Sequence, residues 1–515
     1  MNLFRATATV GAMTMVSRVL GFARDILIAA MVGPGLIGDA FFVAFKIPNL
    51  FRRLFAEGAF AAGFVPIFSE LSGTHGRDAA RDFAAQALAV LVAVLVVLVA
   101  VFEIAMPWLM MGLAPGFVGD PEKFDLAVTL TRITFPYLLF ISVVSLLGGV
   151  LNSLGKFAAA AATPVLLNLA LIGSLIGLAD VLPTAGHALA WGVAGAGVLQ
   201  MVWLWFATAR AGMALGLSIP RLTPKVRELG RLMLPAVVGS GVAQINIAVD
   251  IIIASLLATG SISYLFFADR LTQLPLGVIG VAVGTALLPL LSRQLAAGDH
   301  DGAANSLNRA VETALVLALP AAAALMVASE PVVRVLFERG AFDAVATHAT
   351  ALAVIAYASG VPAYVMVKVL SPGFFARKDT KTPVRIAIVA LVTNIVLNLA
   401  LMGPMGHVGL ALATALAAWL NAGLLAWVLV RRGHWLADDR LRQRLPRGLI
   451  ATAGLGLGLW FAVGWLAEPL AGSGAQRIGT LTAVVLGGLV LYAALAHVFG
   501  AIKIGELRAL ARRGS

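Results

Sequence analysis

The sequence predicts an all-α polytopic membrane protein of about 14 transmembrane helices, built as two repeat-related six-helix lobes followed by two C-terminal helices. Three observations carry this. Of 515 residues, 60% are apolar and 12% charged, against roughly 25% charged in soluble domains. Apolar runs of the roughly 20 residues that cross a bilayer recur along the whole chain. The basic residues gather in alternate connections.

Taken in order, the chain opens on Arg5 and an apolar stretch that Arg18, Arg24 and Asp25 interrupt. A cleaved signal peptide needs an unbroken apolar centre, so this is read as a retained first helix. Apolar runs and breakers then place helices centred near residues 22, 52, 96, 138, 169, 198, 243, 278, 316, 357, 391, 419, 457 and 489.

Lys and Arg collect in loops that stay cytoplasmic. With the N-terminus inside, that face holds Arg5, Arg77, Arg81, Lys156, Arg210, Arg221, Lys225, Arg227, Arg231, Arg293 and Arg309. It continues with Arg377, Lys378, Lys381, Arg385, Arg431, Arg432, Arg440, Arg442, Arg444, Arg447, Lys503, Arg508, Arg512 and Arg513. The other face has Lys123, Arg334, Arg339 and Arg477. A split of 25 against 4 places both termini in the cytoplasm. It also explains the formal charge of +12 as a topology signal rather than a nucleic-acid footprint.

Composition excludes several chemistries. Without cysteine there is no disulfide framework, thiolate nucleophile or Cys-ligated metal. The seven histidines follow no ligand spacing, so metal-dependent hydrolysis has no support.

Two segments about 225 residues apart read alike: Asp25-Ile26-Leu27-Ile28-Ala29 with Gly35, Ile37 and Phe41-Phe42, against Asp250-Ile251-Ile252-Ile253-Ala254 with Gly260, Ile262 and Phe266-Phe267. Six helices separate the equivalents, so the halves share one orientation about an axis along the membrane normal. The expected divisions are a lobe at 1–215, a second at 216–435 and two added helices at 436–515. Transporters of this build place substrate between the halves.

A charge at the bilayer centre costs on the order of 3 kcal/mol, so intramembrane charges are functional candidates. Here they include Arg18, Arg24, Lys46, Arg52, Arg53, Arg132, Arg270, Lys368, Asp25, Asp39, Glu57, Glu103, Asp250, Asp269 and Glu312. Some form neutralising pairs on sequence grounds: Arg24 with Asp25, Asp269 with Arg270, and Arg53 with Glu57 at i, i+4. Snorkelling at helix ends is an equal account of Lys46, Arg132, Glu103 and Glu312. The arginines of the first, second and eighth helices point to an anionic, phosphorylated substrate, because a guanidinium is always charged and forks onto phosphate oxygens. Pro48, Gly58, Gly63, Pro275, Gly277, Gly280 and Gly284 allow the bends a cavity needs, although ordinary helix packing explains any single glycine.

Asp250, Asn394, Asn398 and Thr414 form a second set that offers only oxygen to a cation. Such oxygens suit a hard monovalent ion such as Na⁺. Hydrogen bonding between helices is the alternative use of the same side chains.

Three stretches resemble the MurJ (MviN) lipid II flippases, within the multidrug/oligosaccharidyl-lipid/polysaccharide exporter superfamily. They are Ser17-Arg18-Val19-Leu20-Gly21-Phe22-Ala23-Arg24-Asp25, Asp39-Ala40-Phe41-Phe42-Val43-Ala44-Phe45-Lys46-Ile47-Pro48-Asn49-Leu50, and Arg52-Arg53-Leu54-Phe55-Ala56-Glu57-Gly58-Ala59-Phe60. Ala268-Asp269-Arg270-Leu271 and Lys381-Thr382-Pro383 are similar to the same family's pattern. Residues 440–515 match in hydropathy alone.

The resemblance implies a bacterial inner-membrane protein that moves lipid II, the undecaprenyl-pyrophosphate-linked disaccharide-pentapeptide, to the periplasmic leaflet for peptidoglycan synthesis. It implies that Arg18, Arg24, Arg52 and Arg270 engage the pyrophosphate, with Arg53, Asp39 and Glu57 nearby. It implies a sodium site at Asp250, Asn394, Asn398 and Thr414, although some members carry Asp where this chain has Asn398. It also implies a groove for the isoprenoid tail at the last two helices. The expected partners are lipid II, membrane lipids and proteins of the divisome or elongasome, with no nucleic acid and no cofactor beyond Na⁺.

An exporter of another polyprenyl-pyrophosphate-linked glycan satisfies the same charges. A membrane enzyme would need a catalytic constellation on a surface loop, and the short loops hold none. A scaffold would have no use for the buried charges.

Overall fold

A computed structural model describes residues 3–53, 58–216, 218–472 and 474–501. Glu57, Lys503, Arg508, Arg512 and Arg513 lie outside the described residues. The described elements are helices throughout, apart from an isolated bridge between Arg339 and Phe342. The chain packs into two compact units: Met1–Ser263 with Arg339–Phe342, and Tyr264–Glu338 with Asp343–Ser515. This boundary is set by contacts, whereas the lobes at 1–215 and 216–435 are set by sequence likeness.

The first unit contains α1 (Leu3–Met31), α2 (Leu36–Arg52), α3 (Gly58–Thr74), α4 (Gly76–Leu113), α5 (Pro121–Thr134) and α6 (Tyr137–Ser153). It continues through α7 (Phe157–Ala161), α8 (Thr163–Leu178), α9 (Ala185–Arg210) and α10 (Pro224–Ser255). Side-chain caps fix several starts. Asp120 accepts from Lys123 N at 3.2 Å before α5, Thr184 from His187 N at 3.3 Å before α9, and Thr223 from Val226 N at 3.4 Å before α10. The core is aromatic where α3 packs: Phe64 stacks on Phe60, Phe68 and Phe83 at 5.2–5.6 Å. Two glycines bring residues 339–342 against the end of α1. Gly33, at φ 65°, would place a Cβ 2.4 Å from Ala341 O, and Gly340, at φ 56°, one 2.2 Å from Ala30 O.

The second unit begins within α11 (Ser261–Pro275), which runs through a π-helical turn at Leu276–Gly280 into α12 (Val281–Ala296). Then come α13 (His300–Val327), α14 (Ser329–Phe337), α15 (Ala344–Ser359), α16 (Val361–Phe375) and α17 (Lys381–Arg431). It closes with α18 (Asp439–Trp465), α19 (Ala467–Ala471) and α20 (Gly474–Val498). Asp299, Asp343 and Asp438 each accept a backbone N–H at 2.8 Å to start α13, α15 and α18. Fully buried Ala314, Ala318, Val361, Val365, Val369 and Leu429 join α13, α16 and α17 in one core. Gly454, Gly458 and Gly488 lie against Leu495, Leu491 and Leu459, seating α18 on α20. Tyr492 donates to Val316 O at 2.6 Å and ties α20 to α13.

Each of the fourteen expected centres falls on a helix, and among the described residues ten helical stretches are long and apolar enough to cross a membrane. The spans differ from the expectation where the chain breaks. The helix expected near 138 is divided at Phe135-Pro136, where proline removes a donor and crowds the preceding turn. The helices expected near 391 and 419 are the arms 381–405 and 407–431 of α17, which reverses at Gly406 (φ 55°, ψ −133°) just after Pro404. The reversal is visible in the hydrogen bond from Asn394 to Thr414, because 20 residues of straight helix would separate them by about 30 Å.

Candidate functional site

In the first unit, the two arginines of α1 have different surroundings. Six residues turn a helix by about 240° relative to its start, so Arg18 and Arg24 occupy different faces. Arg18 is exposed and makes no ion pair with a described residue. Arg24 is buried, as is Asp25. Its guanidinium donates to Asp25 Oδ1 at 3.0 and 2.7 Å and to Asn168 Oδ1 of α8 at 2.9 Å. The Asn168 amide in turn donates to Ser17 O at 2.9 Å. The expected Arg24–Asp25 pair is therefore present, with a third partner 144 residues away in the chain. A buried charge held this way is neutralised locally, which sets a cost on offering Arg24 to a ligand.

Arg52 and Arg53 end α2, where Arg52 Nε donates to Asn49 Oδ1 at 3.0 Å and Arg53 is exposed. The Arg53–Glu57 pair expected from spacing lies outside the described residues.

Asp39 has a fully engaged carboxylate. It is 1% exposed and accepts from Lys123 Nζ (2.9 Å), Gly260 N (2.7 Å), Ser263 N (3.0 Å) and Ser263 Oγ (2.7 Å). Lys123 is itself buried, reaches Thr259 Oγ1 at 3.3 Å and sits 4.4 Å from the Phe117 ring centroid. Sequence reasoning placed Lys123 in a loop and missed the pair, since its residues stand 84 apart. The cap formed by Asp120 on the Lys123 backbone was the sole local sign that this lysine is held in place.

In the second unit, Arg270 lies on α11 with its guanidinium over the Phe266 ring at 4.6 Å, while Asp269 accepts from Gln273 at 2.5 Å. Glu312 on α13 does not snorkel. It is buried beneath Arg309, Arg440 and Arg444, with Arg444 at 2.7 Å, and Arg309 also pairs with Asp438. The motif Lys381-Thr382-Pro383 closes the α17 hairpin. Asp379 accepts from Thr382 N at 3.0 Å, and Arg432, from the far arm, donates to Asp379 at 2.7 Å and to Thr382 Oγ1 at 3.0 Å. These contacts hold the Asp379 carboxyl down at about 2.

The oxygen-rich set is divided. Asn398 donates to Asn394 Oδ1 at 3.0 Å, Asn394 to Thr414 Oγ1 at 3.4 Å, and Thr414 to Leu410 O at 3.0 Å, all in the second unit. Asp250 belongs to the first unit, where Asn246 donates to its Oδ2 at 3.2 Å. No group of three His, Asp or Glu suited to a multivalent metal occurs among the described residues.

Long apolar helices, with charges buried in pairs or exposed along them, define a multi-pass membrane protein. A family model described as "Lipid II flippase MurJ" matches residues 28–469. A relative from Rhizobium meliloti (strain 1021), named probable lipid II flippase MurJ, is 44% identical over all of this chain and 97% of its own length. One from Burkholderia cenocepacia, named lipid II flippase MurJ, is 38% identical over 96% of each. The chain belongs to the MurJ lipid II flippase family, a family of transporters of the bacterial inner membrane. A solved structure of lipid II flippase MurJ in an inward closed conformation superposes with a TM-score of 0.77 at 27% identity, over 95% of this chain and 98% of that one. A MATE transporter in an inward-facing conformation shares the fold, with a TM-score of 0.66 at 14% identity.

Proposed function

We propose that this chain carries lipid II from the cytoplasmic to the periplasmic leaflet by alternating access, moving its substrate without converting it. The observation that carries this is full-length likeness to the lipid II flippases, 44% identical end to end. The charge inventory supports it: Arg18, Arg24 and Arg52 in the first unit and Arg270 in the second supply guanidiniums suited to a pyrophosphate. Arg53, Asp39 and Glu57 accompany them in the proposal. Asp39, whose carboxylate already holds four donors, would act by positioning its neighbours and not on the phosphate itself. Moving two negative charges outward across an inside-negative membrane is favoured by about 2.3 kcal/mol per charge per 100 mV, so membrane potential can drive the step. We place both termini in the cytoplasm on the asymmetry of basic residues, and assign Na⁺ to Asp250, Asn394, Asn398 and Thr414 on donor chemistry. The last helices would hold the isoprenoid tail, and proteins of the divisome or elongasome would recruit the carrier.

The test is the sidedness of lipid II in cells depleted of this protein, read with an externally added enzyme that cleaves periplasmic-leaflet lipid II alone. Cleavage should vanish on depletion and return with the wild type, but not with Arg18→Ala or Arg270→Ala at equal membrane levels. Unchanged cleavage in depleted cells without a redundant carrier would move the proposal to another polyprenyl-pyrophosphate-linked glycan.

A further inference from the structure

Lys368 takes no part in the site described above. It stands at the midpoint of α16, where Val365, Met366, Val369 and Leu370 are buried, yet its own side chain is exposed. It makes no hydrogen bond or ion pair with any described residue, whereas Arg24 and Lys123 are held by partners. Its backbone is fixed tightly. At Gly284 a Cβ would come within 2.8 Å of Lys368 O, and at Gly280 within 3.6 Å of Lys368 Cγ, so two glycines let the bent helix α11–α12 close onto this one residue. An exposed ammonium within an apolar span, on a rigid mount and without a structural partner, is a ligand-binding group by default.

Spacing narrows the ligand. Gly280, beside Lys368, lies ten residues beyond Arg270, at most about 15 Å along the helix at 1.5 Å per residue and less through the π-helical turn. The Arg270 guanidinium is drawn over the Phe266 ring, on the N-terminal side of that interval, and Lys368 stands at its other end. The two cations are taken to meet different anionic groups of one ligand. Resting on the function proposed above, we propose that Lys368 binds a carboxylate of the stem peptide, the group a pentapeptide with a free C-terminus presents away from the pyrophosphate. An ammonium is a compact point charge that pairs with a carboxylate without demanding the planar fork a guanidinium imposes.

The experiment measures translocation in reconstituted vesicles with two probes: lipid II with free peptide carboxylates, and lipid II with those carboxylates amidated. Wild-type protein should move the free-carboxylate probe faster. Lys368→Gln should slow that probe about tenfold, the loss of one charge-assisted contact, and leave the amidated probe unchanged. Lys368→Arg should keep most of the preference. Equal slowing of both probes, or of neither, overturns the assignment, and so does a wild type that ignores amidation, a comparison needing no variant. A wild type that moves neither probe refutes the function itself, a result distinct from these.

Discussion

Replacing Lys123 with Met removes the ammonium and keeps most of the side-chain length. Asp39 retains Gly260 N, Ser263 N and Ser263 Oγ, but a carboxylate 1% exposed loses its counter-ion 2.9 Å away. Breaking a buried pair from one side costs about 3–5 kcal/mol. Three surviving donors put the expected loss at the low end, about 3 kcal/mol. Asp39→Asn alone should cost a similar amount, because it leaves a buried ammonium with Thr259 and the Phe117 ring. The double variant removes both charges and should be more stable than either single one, a coupling of about 2 kcal/mol or more. The assay is the thermal unfolding midpoint in detergent, followed by the fluorescence of the nine tryptophans. At about 2–4 °C per kcal/mol for units of 150–250 residues, each single variant should fall by about 6–12 °C. A Lys123→Met midpoint within about 2 °C of wild type, or a double variant as unstable as the two losses added, would refute the buried-pair account.

Two further outcomes follow from the second unit. Glu312→Gln leaves Arg309, Arg440 and Arg444 crowded without the carboxylate that neutralises them, so it should cost roughly 3 kcal/mol and loosen α18 from α13. Trypsin should then cut at Arg440, Arg442 and Arg447 faster than in wild type, and unchanged cleavage would show that packing alone seats the helix. At Asp379, bonds from Thr382 and Arg432 hold the folded carboxyl at about 2, below its usual 3.8, so its contribution is complete above about pH 4 and fades as pH falls toward 2. Asp379→Asn should be less stable than wild type at pH 5 and converge with it near pH 2; a constant gap across that window would remove the linkage.

Much of the helical plan was legible because span recognition needs only runs of apolar residues, and this chain has few polar interruptions inside them. The Arg24–Asp25 pair was legible for the same reason, since its partners are neighbours. What hydropathy does not carry is where a span breaks and what a buried charge meets. Pro136 and Gly406 sit inside apolar runs and change direction without changing composition. Asn168 and Lys123 reach Arg24 and Asp39 across 144 and 84 residues, and no period in a single sequence encodes such pairings. Glu312 looked like a helix-end carboxylate because two of its three arginines arrive from α18, well over a hundred residues later.

The π-helical turn at Leu276–Gly280 has a bearing on how this span varies. Each added or lost residue rotates everything beyond it by about 100° without breaking the helix, and such turns accommodate a change of one residue with little loss of backbone bonding. Shortening this segment by one would therefore swing the face that carries Arg270 away from the glycines that clasp α16, leaving both halves helical and well packed. The length of those five residues acts as a dial that sets the angle between two cations, and a single-residue deletion there would retune what the span presents rather than unfold it.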